Sequence, residues 1–468
     1  MALARSRAPN CGRPLTVRGP LVAAVALQNR YDAGAPSWID FCASALSPFS
    51  VLRFSLTSHP DSVSMRLAIR VLRRSVIAVL VASPLGAQAP ATPPTTQPAA
   101  VSKLWYERLS LRGYAQIRYN RLLESNSALV CAQCDRSIGN NGGFFLRRGR
   151  IVLSGNVHPR VAIYIQPDFG SDAAGGLHYL QLRDAYFDLF LNDGRSHRIR
   201  IGQSKVPFGF ENLQSSSNRL PLDRNDALNS ALPNERDFGV EYYWSPPVAQ
   251  KRFRILTDSG YKGSGDYGVF AFGLTNGQTA NRPEANNSLH AVARVTYPWR
   301  LASGQFVEAS LQGYTGRFVV PTKSTAVSMR PEYLDERVAA SFVWYAQPFG
   351  LVAEYNWGKG PEFASGTNSI ETRSLSGGFV QAMYAFHAKG QRVQPFARLH
   401  EYHGGKKAEL DARHYAVHEV EAGIEWLPIP AFELTAQYTV SDRLFEDAAT
   451  VGKREKGRFL RLQAQINY

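Results

Sequence analysis

Basic side chains recur at every second residue in several stretches of this sequence. Arg148 is followed by Arg150 and Arg198 by Arg200, and Lys205 comes shortly after the second pair. An anion that leaves bulk water loses hydration, and guanidinium and ammonium groups replace the lost hydrogen bonds. Spaced basic side chains suit conduction better than one deep pocket, because no single group then holds the ion too tightly. The spacing therefore predicts a path for small anions.

A spacing of two places side chains on one face of a β-strand. From Leu109 to Tyr119, apolar or small residues at odd positions alternate with polar residues at even positions, which include Arg112 and Arg118. Eleven residues is the length of a tilted membrane strand, which needs about 9–11. In a membrane barrel the apolar face meets lipid and the polar face meets the lumen.

The same alternation recurs along the chain and predicts sixteen strands, the last of which ends in the aromatic Tyr468. Long and short connections alternate, and the longest is 204–236. The segment 245–265 is an exception and allows a further strand at 252–257. This plan predicts an all-β fold, a sixteen-stranded antiparallel transmembrane β-barrel in a bacterial outer membrane. The predicted strands are 109–119, 144–155, 160–168, 179–190, 197–203, 237–244, 266–275, 288–297, 304–316, 336–346, 350–358, 372–386, 393–403, 414–426, 431–441 and 457–468.

The fourth strand departs from simple alternation. Leu180 and Leu182 share parity with Asp184 and Asp188, so the facing must switch between them. An extra residue in one strand of a pair does this, and we expect a β-bulge here.

The N-terminal part of the sequence includes a segment that predicts an export signal. Residues 65–89 combine four arginines, a short apolar run and small residues for cleavage, as a signal peptide does. Residues 1–64 precede it and indicate a non-native extension from a misplaced start, and 90–104 is a Pro/Thr linker. The barrel is expected over 105–468.

Other chemistries have weaker support. The chain has a net charge of +15, which suits lipopolysaccharide, nucleic acid or anions, and charge alone does not choose among them. Cys131 and Cys134 form a CxxC that indicates a local disulfide rather than a metal site. No histidine lies in a recognisable nucleophile context, so we expect no enzyme, no catalytic residue and no cofactor. His400, His403, His414 and His418 flank one connection and allow a metal site, although scattered surface histidines explain them better.

Four strings in fixed order resemble the phosphate-selective porin O/P family. The most specific is Gly202-Gln-Ser-Lys-Val-Pro-Phe-Gly-Phe-Glu211. The strings are Phe145–Ile151, Leu182–Phe187, Ile201–Glu211 and Leu232–Val240.

The resemblance implies a trimeric outer-membrane channel whose third external loop folds into the lumen, here 204–236. It matches Arg147 and Arg148 to the family's paired arginines and Lys205 to its loop lysine. Arg219, Arg224 and Arg236 would lie on this constriction loop. The expected partners are lipid and lipopolysaccharide, small anions, two further copies of the chain and, through Tyr468, the outer-membrane assembly machinery. No nucleic acid is expected.

The solute is left open between phosphate, polyphosphate and other small anions. The arginine ladder of the family's phosphate-specific members is not matched, since strands six and seven carry no basic residue. The later strands also place acids on polar faces, among them Glu308, Glu354 and Glu419. The alternatives are a weakly selective porin whose arginines form structural ion pairs and a soluble β-protein.

Overall fold

The structure, a computed structural model, describes residues 104–123, 142–171, 178–322, 327 and 329–468. The predicted extension 1–64, the predicted signal peptide 65–89, Cys131 and Cys134 lie outside these residues, as does the predicted linker except for Leu104. Among the described residues, no α-helix combines the length and the hydrophobicity that crossing a bilayer requires.

Seventeen strand segments in the described residues form one antiparallel sheet that closes on itself. Two of them pair in turn with the same neighbour and are separated by Ala385 alone, so they make one wall strand, and the barrel has sixteen. The segments are β1 (Leu109–Leu122), β2 (Gly142–His158), β3 (Val161–Ser171), β4 (His178–Phe190), β5 (His197–Lys205), β6 (Arg236–Trp244), β7 (Phe270–Thr275), β8 (His290–Arg300), β9 (Phe306–Phe318), β10 (Tyr333–Trp344), β11 (Phe349–Ala364), β12 (Ser369–Tyr384), β13 (Phe386–Ala388), β14 (Gln391–Gly405), β15 (His414–Ile429), β16 (Phe432–Asp447) and β17 (Thr450–Asn467).

The first and last strands close the barrel. β1 pairs with β17 from Tyr114 opposite Asn467 to Leu122 opposite Phe459, and its other edge pairs with β2. Among the described strands, β1 and β17 therefore leave no open sheet edge, as a hydrocarbon environment requires. The prediction of a closed sixteen-stranded antiparallel barrel is confirmed.

The faces of the strands follow the predicted alternation. On β17, Leu462 and Ile466 are exposed on the outer surface, whereas Arg461 and Gln465, each of which directly precedes one of them, are each 1% exposed. A soluble protein would bury the apolar residues instead, so the pattern matches an apolar outer wall and a polar interior.

The stretch 252–257 is not a strand, and the allowance for one there was wrong. It belongs to a helix that fills the connection between β6 and β7. Pro247 opens this helix at its first turn, where a missing N–H costs nothing. Ala249, Phe253 and Leu256 are buried at spacings of four and three, which is the helical period. The helices are α1 (Phe210–Leu213), α2 (Asp226–Ala231) and α3 (Pro247–Asp258), with 3₁₀ turns at Trp105–Arg108 and Leu410–Ala412.

Two of the register shifts in the described wall are bulges that leave an arginine as the extra residue. The predicted bulge in the fourth strand is confirmed: Gln166 faces Asp184 and Pro167 faces Leu182, so Arg183 is the extra residue. A second bulge, which alternation did not predict, leaves Arg147 as the extra residue between β1 and β2. Each bulge turns two consecutive side chains toward the buried face.

Candidate functional site

The connection between β5 and β6, residues 206–235, is here called the long loop. Glu354 on β11 accepts hydrogen bonds from the backbone N–H groups of Phe210 at 2.6 Å and Glu211 at 3.0 Å. Arg118 on β1 contacts Asp223 at 2.8 Å. The long loop therefore contacts the polar faces of strands that lie far apart around the sheet.

An apolar contact anchors the same loop. Ala227 and Leu228 of α2 are fully buried, and they belong to one cluster with Tyr402 of β14 and Val417 of β15. Asn225 caps α2 by accepting a hydrogen bond from the Leu228 N–H group at 3.0 Å. The helix is thus held by both packing and capping against one side of the barrel.

A cavity of about 170 Å³ beside the long loop is lined by six arginines and two acids. We call it the arginine cavity. Cations outnumber carboxylates three to one in its lining, so its field favours anions. Its lining residues are Arg147, Arg148, Arg150, Arg183, Arg219, Asp223, Arg224, Asn229, Pro233, Asn234 and Glu235.

Asp223 is one of the two acids of the arginine cavity. It forms ion pairs with Arg118 at 2.8 Å, Arg147 at 3.0 Å and Arg461 at 2.8 Å. Burial alone would raise the pKa of the Asp223 carboxyl, but these guanidinium groups hold it well below its usual range. One negative charge is therefore shared among three positive ones.

Glu235 is the other acid, and it is surrounded in the same way. Arg219 contacts it at 3.2 Å, Arg224 at 3.0 Å and Lys205 at 3.6 Å, and the adjacent Arg236 also contacts it. Burial opposes ionisation of Glu235, yet the cations keep its pKa well below the ordinary value. Burial lowers the pKa of Arg224 to about 10, so this guanidinium is still charged at neutral pH.

Arg147 and Arg148 both face the arginine cavity because of the second bulge. Without the extra residue, consecutive side chains would point to opposite faces of β2. Arg148 donates to the Gln116 side chain at 3.4 Å, and its Nε atom is buried without a hydrogen-bond partner. No carboxylate among the described residues forms an ion pair with Arg148, which leaves a buried cation poised for an anion.

Arg150 belongs to two cavities. Its guanidinium contacts Asp168 at 3.2 Å, the Tyr114 hydroxyl at 2.8 Å and Ser216 at 3.0 Å. Besides the arginine cavity it lines a second one of about 230 Å³, which we call the tyrosine cavity. The lining of the tyrosine cavity includes Arg150, Tyr164, Gln166, Asp184, Tyr186, Arg200, Lys205, Arg236, Asp266 and Tyr267. The two cavities are therefore adjacent.

Arg112 of β1 and the predicted arginines of β5 lie at or near the tyrosine cavity, whereas Arg118 of β1 contacts Asp223 of the arginine cavity. Arg200 is paired with Asp188 through two hydrogen bonds of 2.8 and 2.9 Å and lies 3.8 Å from the centre of the Tyr186 ring. Arg198 is half-buried and lies 4.7 Å from the Tyr243 ring centre. Arg112 is exposed and lies 5.9 Å from the Tyr164 ring centre.

Lys205 and Arg236 lie at strand ends and not on the loop, contrary to the predicted bounds 204–236. Lys205 is the last residue of β5, and its Nζ donates to the carbonyls of Asn212 at 2.8 Å, Leu213 at 3.1 Å and Gln214 at 2.6 Å. Arg236 is the first residue of β6 and contacts Asp184 at 3.0 Å. Lys205 thus stabilises the carboxyl end of α1.

Two basic residues of this region were missed from the sequence. Arg183 lines the arginine cavity and contacts Asp168 at 3.0 Å, and Arg461 contacts Asp223. Arg461 lies on the polar face of the last strand, so parity was sufficient to find it. Arg183 lies within one of the resembling strings, but its inward facing depends on the bulge at that residue.

The acids of the later strands are buried, as expected from their parity, and many are engaged. Glu421 accepts from Arg398 and from Arg461, the latter at 3.2 Å. Glu308 contacts Arg294 at 3.3 Å, and Glu419 contacts Arg443 at 2.7 Å. These carboxylates therefore serve ion pairs within the wall.

One histidine of β14 lies among carboxylates in a group that could hold a metal ion. His400, Asp226 and Glu419 place one ligand atom each within 4.8 Å of one another. Arg443 already contacts Asp226 at 2.8 Å, and Lys406 contacts the same carboxylate, so a further cation would be repelled. His403 and His414 are not members of this cluster, and their rings lie 5.0 Å apart, centre to centre.

Comparisons with known proteins agree with this architecture. A family model described as phosphate-selective porin O and P matches residues 130–468. The outer-membrane channel DcaP of Acinetobacter baumannii is similar in structure, with a TM-score of 0.50, 14% identity and coverage of 77% of this chain and 97% of that one. An anion-selective porin from Comamonas acidovorans has a TM-score of 0.45 and 11% identity over 77% of this chain and 99% of that one. OmpF of Salmonella typhi has a TM-score of 0.48 and 13% identity over 77% and 97%. The comparison with curated proteins gave no match.

Proposed function

Because the chain belongs to the phosphate-selective porin O and P family, we propose that it lets small anions diffuse passively through an Arg- and Lys-lined constriction. Its family and fold identify it as an outer-membrane porin, which is a channel rather than an enzyme. The selectivity for anions is the proposal, and phosphate and polyphosphate are candidate solutes. The observation that carries it is the arginine cavity, with six arginines against two acids.

The chemistry of the cavity supports an anion in particular. Each of its two acids is shared among at least three cations, so the positive charge is in excess even after every ion pair is formed. Arg148 adds a guanidinium that has no acidic partner among the described residues. Guanidinium groups match phosphate and carboxylate oxygens with two parallel hydrogen bonds. A desolvating anion would find replacement donors here.

We further propose that the long loop folds into the lumen and narrows it beside this cavity. Support comes from its contacts with Glu354, Arg118 and Arg443, which lie on strands at different positions around the barrel. The acids of the later strands fit this reading. Glu354 holds the backbone of α1, and Glu421 and Glu419 are neutralised by arginines, which leaves the basic wall to face the solute.

Reversal potentials in planar bilayers test the proposal. The full mature protein is inserted between unequal concentrations of potassium chloride and then of potassium phosphate. Permeability of the anion above that of potassium is expected in both salts, and phosphate is expected to reduce the chloride current. A potential of zero, or one of the sign for cation preference, would contradict the proposed function.

A weakly selective porin with a salt-bridged lumen is the second candidate. The observation that favours it is that Arg200 is paired with Asp188 and Arg118 with Asp223. These two guanidinium groups then stabilise the wall and the long loop and are not available to a conducted anion. It predicts similar permeability for potassium and chloride.

Assembly and processing remain proposals as well. We propose a homotrimer, removal of residues 65–89 as a signal peptide, and 1–64 as a non-native extension. We also propose that the assembly machinery recognises the last strand through Tyr468, which is 60% exposed on the outer surface. Molar mass in detergent and sequencing of the N-terminus of the exported protein test these statements.

A further inference from the structure

The tyrosine cavity lies where connections from the two ends of the barrel meet. Ser215 of the long loop lines one side of it, and Ser264 and Tyr267 line another. Ser264 and Tyr267 belong to the connection between β6 and β7, which joins antiparallel strands at the opposite end of the barrel from the long loop. The two connections contact each other, since the Gln214 side chain donates to the Lys262 carbonyl at 2.5 Å. The cavity is therefore bounded from both ends of the barrel.

The tyrosine cavity presents hydroxyl groups in addition to charges. Tyr164 and Tyr186 lie on neighbouring strands with their rings stacked at 5.1 Å between centres, and Arg200 lies over the Tyr186 ring. These contacts use ring faces, whereas the hydroxyls of Tyr164, Tyr186 and Tyr267 form no hydrogen bond with another described residue. The Ser264 hydroxyl is also buried without a partner. These hydroxyls are thus available to a solute in the cavity.

The hydrogen-bonding groups differ between the two cavities. The arginine cavity offers mainly guanidinium donors, which suit phosphate oxygens. The tyrosine cavity adds the carboxylates of Asp184 and Asp266 and the amide of Gln166 to its hydroxyls. Hydroxyl groups both donate and accept hydrogen bonds, and so do the hydroxyls of a sugar. The tyrosine cavity therefore matches a polyhydroxylated group better than it matches ionised phosphate oxygens, which only accept.

Three cations connect the cavities. Arg150 lines both of them, and Lys205 and Arg236 line the tyrosine cavity while they contact Glu235 of the arginine cavity. The arginine cavity has a volume of about 170 Å³ and the tyrosine cavity one of about 230 Å³. Each is below the roughly 300 Å³ at which pockets for small organic ligands begin, and the pair exceeds it. One solute with two chemically different parts can therefore occupy both cavities.

We propose that the two cavities together bind a sugar phosphate, with its phosphate among the arginines and its hydroxyls against the tyrosines and Ser264. This inference rests on the proposed conduction of anions and names the class of solute. Arg150 would lie between the two parts and donate to the phosphate ester. Compared with inorganic phosphate, a sugar phosphate keeps the hydrogen bonds from guanidinium groups and gains those of the tyrosine cavity.

Block of the chloride current through the full mature protein in planar bilayers tests the proposal. Glucose-6-phosphate, inorganic phosphate and glucose are added in turn to potassium chloride at constant ionic strength. Glucose-6-phosphate should give half-block at a concentration about tenfold lower than inorganic phosphate, because its sugar forms further hydrogen bonds. Glucose should not block at the same concentrations, because it has no phosphate for the arginines.

The triple variant Y164F/Y186F/Y267F removes the hydroxyls and keeps the rings. Its half-blocking concentrations for glucose-6-phosphate and inorganic phosphate should be about equal, because the hydrogen bonds to the sugar are lost. The matched control Y355F/Y384F/Y438F removes hydroxyls from exposed tyrosines of the outer wall and should keep the preference of the unaltered protein. Heat-modifiable migration shows that each variant is folded.

Three results would overturn the proposal. The first is equal block by glucose-6-phosphate and inorganic phosphate in the unaltered protein, which depends on no variant. The second is an undiminished preference in Y164F/Y186F/Y267F. The third is block by glucose as strong as that by glucose-6-phosphate, which would make this a site for neutral sugars. The reversal potential distinguishes these results from failure of the proposed function, because a channel that prefers anions but not sugar phosphates contradicts this inference alone.

Discussion

Arg147 contacts the Asp223 carboxylate at 3.0 Å, whereas its sequence neighbour Arg148 faces the same cavity and forms no ion pair with a described carboxylate. A single extra residue in β2 produces this arrangement, because it turns two consecutive guanidinium groups inward. Arg147 neutralises the Asp223 carboxylate of the long loop, whereas the charge of Arg148 is available to an anion. The two residues therefore differ in what their removal should change.

The variant Arg148→Gln should lower the anion-over-cation permeability ratio about threefold, because one unit charge at about 7 Å in water has an energy close to RT. Stability should change little, since no ion pair is broken. Reversal potentials in a potassium chloride gradient measure the ratio. Arg317→Gln removes the same charge from the outer surface and should leave the ratio unchanged. A ratio equal to that of the unaltered protein would exclude Arg148 from the conduction path.

The variant Asp223→Asn should increase anion selectivity and weaken the attachment of the long loop. Three guanidinium groups lose their shared carboxylate, and breaking a buried ion pair costs about 3 kcal/mol. Single-channel recordings should show a higher anion preference together with more current noise. Protease treatment of the purified barrel should cut within 206–235 sooner. Quiet currents with unchanged selectivity would argue against this account of Asp223.

The variant Lys205→Met separates positioning from conduction. Three backbone carbonyls accept from Lys205, so its loss should free the carboxyl end of α1 and raise single-channel conductance. If Lys205 only positions the loop, the change in conductance should exceed the change in ion selectivity. If Lys205 contacts the conducted ion, the change in selectivity should be the larger of the two. Lys359→Met, on the outer surface, serves as the control for loss of a lysine charge.

Acid should release the long loop. Burial alone would raise the pKa values of Asp223, Asp226 and Glu235, but neighbouring cations lower all three below their ordinary values. A carboxylate whose pKa is lower in the folded loop than in the unfolded chain stabilises the folded loop. This stabilisation is complete above the unfolded pKa of about 4 and is lost as pH falls through the folded pKa. Conductance should therefore be constant from pH 7 to about 4 and become noisy below that. Noise that begins near pH 6 would indicate a different group.

The positions of the strands were predictable because residues of a membrane strand alternate between apolar side chains that face lipid and polar side chains that face the lumen. Leu462 and Arg461 show this most simply, since parity alone assigns one to lipid and the other to the lumen. The bulge at Arg183 was also predictable, because Leu182 and Asp184 cannot both keep to their faces on a regular strand. The helix α3 was not, since a short amphipathic segment such as 252–257 fits either period.

The contacts of the candidate site were harder to predict from the sequence than the strands of the barrel wall. Arg118, Arg150 and Arg200 face inward by parity, but parity does not say that Asp223, Asp168 and Asp188 are their partners. The Arg118–Asp223 pairing joins residues 105 positions apart and depends on the course of the long loop. The other two pairings depend on strand register, since Asp168 lies opposite Arg150 and Asp188 lies opposite Arg200 on neighbouring strands. The bulge at Arg147 has no signature in alternation, because small residues such as Gly149 mask the change of phase.

Arg150 lines both the arginine cavity and the tyrosine cavity, so its guanidinium cannot fully serve an ion in each at once. Occupation of one cavity should weaken binding in the other, which is negative cooperativity between successive ions in single file. Conductance would then rise with salt concentration in two stages, the first set by one resident ion and the second by its expulsion when another enters.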